Sequence, residues 1–212
     1  MHFCQIVSWW NSKLMEEFIS PHFFLYPAKL MLEKGFRVTI IARSPSRKNV
    51  HSEKYQGIDI IHIPAGLDIR FLFSYNFSVG LLKRLMGETP DIIHLHSLAP
   101  LEESLVWLIS GAKKVPVIYS CHYLVDPRNY SGSTRVLAYL LNLYKSISSK
   151  TCKVYFIAFT NYQKVLFNSF GIKNVTVIPH GIDPSCFLNV EVDNRLKEKY
   201  GIGEEIKKKH SC

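Results

Sequence analysis

The chain has 212 residues, 47% of them hydrophobic and 20% charged, with a formal net charge of +9. That is enough apolar material for the core of one α/β domain. Cys4, Cys121, Cys152, Cys186 and Cys212 are odd in number and include no Cys-x-x-Cys pair, which excludes a disulfide framework or a zinc knuckle and points to reduced thiols.

The charge suits anionic partners such as phosphorylated small molecules, lipid surfaces or nucleic acid, although its dispersal fits a solubilising surface equally well. Met1 leads straight into a short apolar run without a basic leader, and no apolar stretch reaches the ~18 residues that cross a bilayer. The expected location is cytoplasmic, with room for peripheral contact at the inner membrane face.

Short β-branched runs alternate with helix-period segments, the pattern of βαβ units. Strands are expected at Phe3–Ser8, Phe36–Ala42, Ile58–Ile63, Asp91–His96, Pro116–Cys121, Val154–Phe159 and Val175–Ile178. Several are apolar on both faces (Val38 to Ile41, Val117 to Tyr119), as strands covered on both sides must be. The first helix is expected to be capped by Ser20 and Pro21, to meet Pro27, which kinks it or delays its start, and to stop at Gly35. Apolar stripes predict four more core-facing helices. These are Phe77, Leu81, Leu82 and Leu85; Leu101, Leu105, Leu108 and Ile109, stopping at Gly111; Val136, Leu140, Leu141, Tyr144 and Ile147; and Tyr162, Val165, Leu166 and Phe170. Residues 1–190 read as one domain. Residues 191–212 read as a short charged helix, Asn194 to Gly203, and a tail.

In an open parallel sheet, ligands bind beyond the carboxyl ends of the strands. The residues at those ends turn abruptly polar. They are Ser8 to Asn11, Arg43-Ser44, His96-Ser97, His122-Tyr123, Thr160-Asn161-Tyr162 and His180-Gly181-Ile182-Asp183. His94 and His96 share one side of a strand, but no third ligand stands at a metal-site spacing, so no metal is expected. The first strand–helix turn lacks Gly-x-Gly-x-x-Gly, which weakens a dinucleotide-binding oxidoreductase reading. The aromatics are not interleaved with Lys and Arg, which argues against nucleic acid.

Four segments come in a recognisable order: Pro90-Asp91-Ile92-Ile93-His94-Leu95-His96, Pro116-Val117-Ile118-Tyr119-Ser120-Cys121-His122, Ile157-Ala158-Phe159-Thr160-Asn161-Tyr162-Gln163 and Val177-Ile178-Pro179-His180-Gly181-Ile182-Asp183. Their order and spacing resemble the N-terminal domain of family 4 glycosyltransferases, retaining enzymes of the GT-B fold. Lys34-Gly35-Phe36-Arg37-Val38 resembles that family's Gly-His-Glu-Val segment. The resemblance implies a three-layer, Rossmann-like α/β domain with a mostly parallel sheet of about seven strands, one half of a GT-B fold.

It also implies transfer of a sugar from a nucleotide-sugar donor to a glycan, lipid or small-molecule acceptor, with no bound cofactor or metal. His122 is the implied catalytic residue, placed near the transferred sugar. From their places at the strand ends, Arg43, His96, Ser97, Tyr123, Asn161, His180 and Gly181 are candidate substrate-binding residues, and Asp183 is read as a turn cap. The family's second domain, with its Glu-x7-Glu motif, is not matched, and Trp9-Trp10-Asn11-Ser12-Lys13 stands where the family carries a Gly-Gly loop. The chain alone is therefore expected to be inactive and to need a C-terminal partner chain or to form a homodimer. An apolar patch at Trp9, Trp10, Leu124 and Phe187 would carry that contact. A non-catalytic truncated or split subunit is the alternative.

Overall fold

The computed structural model describes residues 1–7, 22–44, 49–64, 67–69, 75–77, 79–96, 100–122 and 126–180. Contacts divide the chain into two units, Met1–Gly181 and Ile182–Cys212, and every described residue belongs to the first. The expected helix at Asn194 to Gly203, the cap at Ser20-Pro21 and the patch residues Trp9, Trp10, Leu124 and Phe187 lie outside the described residues.

All seven expected strands form: β1 (His2–Val7), β2 (Arg37–Ser44), β4 (Ile58–Pro64), β7 (Ile92–His96), β8 (Val117–Ser120), β9 (Val154–Ala158) and β10 (Val175–Val177). They pair in parallel, and an eighth strand, β3 (His51–Tyr55), adds to the edge antiparallel to β4. The sheet order is β10-β9-β8-β7-β1-β2-β4-β3. The chain therefore reverses direction across the sheet between β1 and β7, the switch point of a Rossmann-like topology. A separate two-stranded ribbon pairs β5 (Leu67–Ile69) with β6 (Tyr75–Phe77).

β3 was not expected because His-Ser-Glu-Lys-Tyr has no apolar alternation; as an edge strand it needs none. Its link to β4 is the two-residue turn Gln56-Gly57, whose φ values of 50 and 85 suit the tight hairpin that follows the sheet's twist. A Cβ on Gly57 would stand 3.0 Å from Leu32 Cδ2, so the turn also needs glycine's missing side chain.

Among the described residues, five helices flank the sheet: α1 (His22–Glu33), α2 (Val79–Gly87), α3 (Pro100–Lys113), α4 (Gly132–Thr151) and α5 (Asn161–Ser169). α1 runs through Pro27 and buries Leu25 and Ala28 with Phe3, Val38, Ile40 and Ile60 on one face. On the other face, Leu81, Leu85, Val106, Trp107 and Phe167 pack with Ile6, Leu95, Tyr119 and Phe156. Each such fully buried side chain contributes about 2 kcal/mol relative to exposure.

Helix ends and faces differ from expectation in four of these helices. Phe77 belongs to β6, and α2 starts two residues later. α3 passes Gly111 and stops at Lys114, whose φ of 58 supplies the left-handed cap instead. In α3 the inward residues are Glu103, Val106, Trp107 and Ser110, while Leu108 is exposed. In α4 most of the stripe is inverted: Val136, Leu140 and Ile147 face outward, Tyr144 of the expected residues packs on Trp107 against the core, and Ala138, Asn142, Lys145, Ser146, Ser148 and Ser149 are buried. α5 likewise exposes Tyr162 and Val165 and buries Leu166 and Phe167.

The inversion of α4 has a physical cause. Lys145 Nζ lies 3.3 Å from Glu103 Oε2 and donates to Tyr119 Oη at 3.1 Å, and Tyr119 donates to Glu103 Oε1 at 2.5 Å. A buried ion pair satisfied in this way holds the helix's rotation, because turning it would strand both charges.

Candidate functional site

The site is assembled where β7 and β8 end, next to the switch point. β1 brings Gln5 and β7 brings His94 and His96 to the same face, because alternate residues of a strand share a side. His94 Nε2 lies 2.8 Å from Ser120 Oγ, which sits at the end of β8. His96 is buried at 4% exposure beneath Phe24, whose ring meets it edge-on at 4.8 Å. His122, one residue beyond Cys121, stacks on His96 with ring centroids 5.3 Å apart. His180 stacks on His122 at 5.4 Å and on Phe159 at 3.7 Å.

Four imidazoles thus form a row from the sheet interior to the surface: His94 and His96 are buried, His122 is half-buried and His180 is exposed. Two backbone supports hold the outer part. Gln163 accepts from the Phe159 N–H at 2.6 Å and donates to the Cys121 carbonyl at 3.4 Å, tying the end of β9 to the residue before His122. The Ile178 N–H donates to the Ala158 carbonyl at 2.9 Å, which sets the chain leading to His180.

The hydrogen-bond directions follow from Gln5. Its Nε2 lies 3.0 Å from the Phe24 carbonyl, an atom that can only accept, so the amide nitrogen and not the oxygen must face that side. The same nitrogen is 2.7 Å from His96 Nε2. His96 Nε2 therefore accepts, its hydrogen sits on Nδ1, and Nδ1 donates across 3.0 Å to His122 Nε2. A neutral His122 accepting at Nε2 carries its own hydrogen on Nδ1.

His94, His96 and His122 are neutral at physiological pH. Burial pushes His94 down to about 4, and the neighbouring His122 adds to the shift. Burial and then His180 push His122 down to about 4. Burial, reinforced by His94, His122 and His180, holds His96 well below the ordinary value. This site can offer oriented N–H donors and lone pairs; it does not offer a fixed positive charge. Among the described residues, no group of three or more His, Cys, Asp or Glu side chains is arranged to hold a metal ion.

The structure brings together three of the residues singled out from sequence: His96, His122 and His180. Asn161 is exposed in the first turn of α5, and the cap there is Thr160, which accepts from the Gln163 N–H at 3.1 Å. Among the described residues, no hydrogen bond or ring contact links Asn161 to the row. The backbone of Arg43 pairs with Ile63 in the sheet, and its side chain lies outside the described residues. Ser97, Tyr123 and Gly181 also lie outside them.

Sequence reasoning missed Gln5, Phe24, Phe159 and Gln163. Gln5 was detectable as the one polar interruption of Phe3-Cys4-Gln5-Ile6-Val7; the two phenylalanines look like any other core aromatic.

The model of the Glycosyltransferase Family 4 matches residues 24–185, which contain the whole imidazole row. The chain belongs to glycosyltransferase family 4. The dinucleotide-binding oxidoreductase alternative falls with that assignment. Solved structures of Anabaena Alr3699/HepE share the fold of this family 4 domain. The complex with UDP and glucose is 13% identical with a TM-score of 0.56, covering 95% of this chain and 50% of that one. The complex with UDP-glucose is 10% identical with a TM-score of 0.57, covering 96% and 50%. The family 4 chain thus spans half the length of these structures. No curated protein matches it in sequence.

Proposed function

We propose that this domain forms the acceptor-side wall of a retaining glycosyltransferase that takes its sugar from a nucleotide-sugar donor. The observation that carries the reading is the imidazole row, which holds a neutral, directionally fixed His122 at the switch point of the sheet. Its support from outside the chain is family membership and a shared fold with a protein solved in complex with UDP-glucose.

Retention requires the acceptor hydroxyl to approach the face of the anomeric carbon from which the diphosphate leaves. In this reading the His122 Nδ1–H donates to a hydroxyl of the transferred sugar or the acceptor and holds it on that face, while His180 and Asn161 line the approach. His96 acts through His122 as a positioning residue. Such orientation is worth about a hundredfold in rate when a reacting group is misplaced by an ångström. The nucleotide sugar is substrate, and no resident cofactor is invoked. In this reading the other wall of the cleft and the diphosphate contacts come from a second domain, and transfer needs both.

The test is sugar transfer by the protein carrying both domains, measured for wild type and His122→Ala alongside the melting temperature of each. The expected result is a loss of about a hundredfold in turnover with little change in melting temperature. Near-wild-type turnover in a destabilised variant overturns the assignment of His122.

A further inference from the structure

α4 turns its apolar side away from the protein. Val136 (59% exposed), Tyr139 (45%), Leu140 (56%), Leu143 (53%) and Ile147 (54%) recur at helical spacing along one outward stripe. Helices on the same side of the sheet add exposed Leu108 on α3 and Val165 on α5. Because the inward side of α4 is fastened by Lys145 to Glu103 and Tyr119, the helix cannot rotate to bury these leucines.

The charge around the stripe is one-sided. Between Asp126 and Asp183 the sequence has seven Lys and Arg residues and no Asp or Glu. Arg128 is paired with Asp126, and Lys145 with Glu103. The other five, Arg135, Lys150, Lys153, Lys164 and Lys173, are all exposed. Arg135 and Lys150 lie at the two ends of the stripe, and the Arg135 guanidinium sits 6.0 Å from the Tyr139 ring centre. Joining two copies through this face would set cations against cations, which counts against a homodimer here.

An outward aliphatic stripe edged by tyrosine and cations, without a single acid, is the chemistry of a helix lying in the headgroup layer of an anionic bilayer. We propose that the outward face of α4 docks this protein on an anionic lipid surface, with the stripe at the acyl boundary and the cations among the headgroup phosphates. The proposal is independent of the catalytic reading of the imidazole row.

The test is co-sedimentation of the intact chain with phosphatidylcholine vesicles, with and without phosphatidylglycerol, at low and high salt. Three proteins are compared: wild type, L140E/L143E and R135E/K150E. All four substituted residues are exposed, and melting temperatures confirm that the variants fold. Wild type is expected to bind phosphatidylglycerol vesicles at least about tenfold more tightly than phosphatidylcholine alone, and to release them in high salt. Each double variant is expected to lose at least about tenfold in binding. Three results overturn the proposal: no binding to anionic vesicles, binding unchanged in L140E/L143E, or a wild-type dimer that L140E/L143E converts to monomer.

Discussion

His122 Nε2 receives its hydrogen bond from His96 Nδ1 across 3.0 Å, and Gln5, at the far end of the pair, determines that direction. Two buried residues thus choose which nitrogen of a half-buried imidazole carries a proton. Nitrogen NMR reads the choice directly. In wild type, His122 is expected to show a protonated Nδ1 and an unprotonated Nε2. In Gln5→Met the constraint on His96 is gone, both tautomer pairs become available, and the Nδ1-protonated fraction of His122 should fall. A wild-type His122 protonated at Nε2 would disprove the relay.

The same row makes stability depend on pH. His94 and His122 titrate at about 4 in the folded protein and near 6.5 when unfolded. As pH falls from 6.5 towards 4, the unfolded chain binds protons that the folded chain refuses, so stability is lost across that window, and the share due to His94 and His122 levels off below it. His94 alone accounts for about 3 kcal/mol. Urea midpoints measured from pH 7 to pH 4.5 should decline steadily, and His94→Asn should flatten the decline. A midpoint that stays constant over this range contradicts the depressed values.

The Glu103–Lys145 pair predicts a strongly non-additive double mutant. Removing one partner leaves the other charge buried, at a cost of about 3–5 kcal/mol for Lys145→Met or Glu103→Leu. Replacing both removes the stranded charge, and the double variant should recover most of the loss. Chemical denaturation of the three variants measures the coupling. Additive losses would mean that the pair does not act as a unit.

Lys114 takes a left-handed conformation, φ 58, at the end of α3, where its N–H donates to the Gly111 carbonyl at 3.2 Å and the Val115 N–H to the Ser110 carbonyl at 2.9 Å. Gly35 and Gly171 close α1 and α5 with the same pair of bonds. Lys114 is exposed, so Lys114→Gly removes the conformational cost without losing packing and should stabilise the protein by about 1 kcal/mol. An unchanged or lower denaturation midpoint would refute this.

The parallel strands were legible because a strand covered on both faces must be apolar throughout, and Val38 to Ile41 and Val117 to Tyr119 are. The candidate site was legible for a related reason: polarity that begins abruptly at His96, His122 and His180 has little structural use at the end of such a strand. Where the reading went wrong, burial and apolarity were uncoupled. His51 to Tyr55 forms a strand without burying a face, and α4 buries a lysine and serines while exposing leucines. Periodicity locates a helix and its stripe, but it assumes that the stripe faces inward. Only Glu103 and Tyr119, distant in sequence, reveal that it does not. Phe24 and Phe159 escaped notice for the opposite reason, since an aromatic beside an imidazole looks like any other core residue.

The fastening of Lys145 has a consequence for how this protein can change. Most helices can trade outward residues for apolar ones only until the new side outcompetes the old one for the core. Here the rotation of α4 is keyed by charge, so the outward side is insulated from that competition. Leucines could accumulate there, or be exchanged for other residues, without the helix ever rolling over. The surface of α4 is thereby free to drift under demands that have nothing to do with folding, while the sheet end that carries His122 stays where it is.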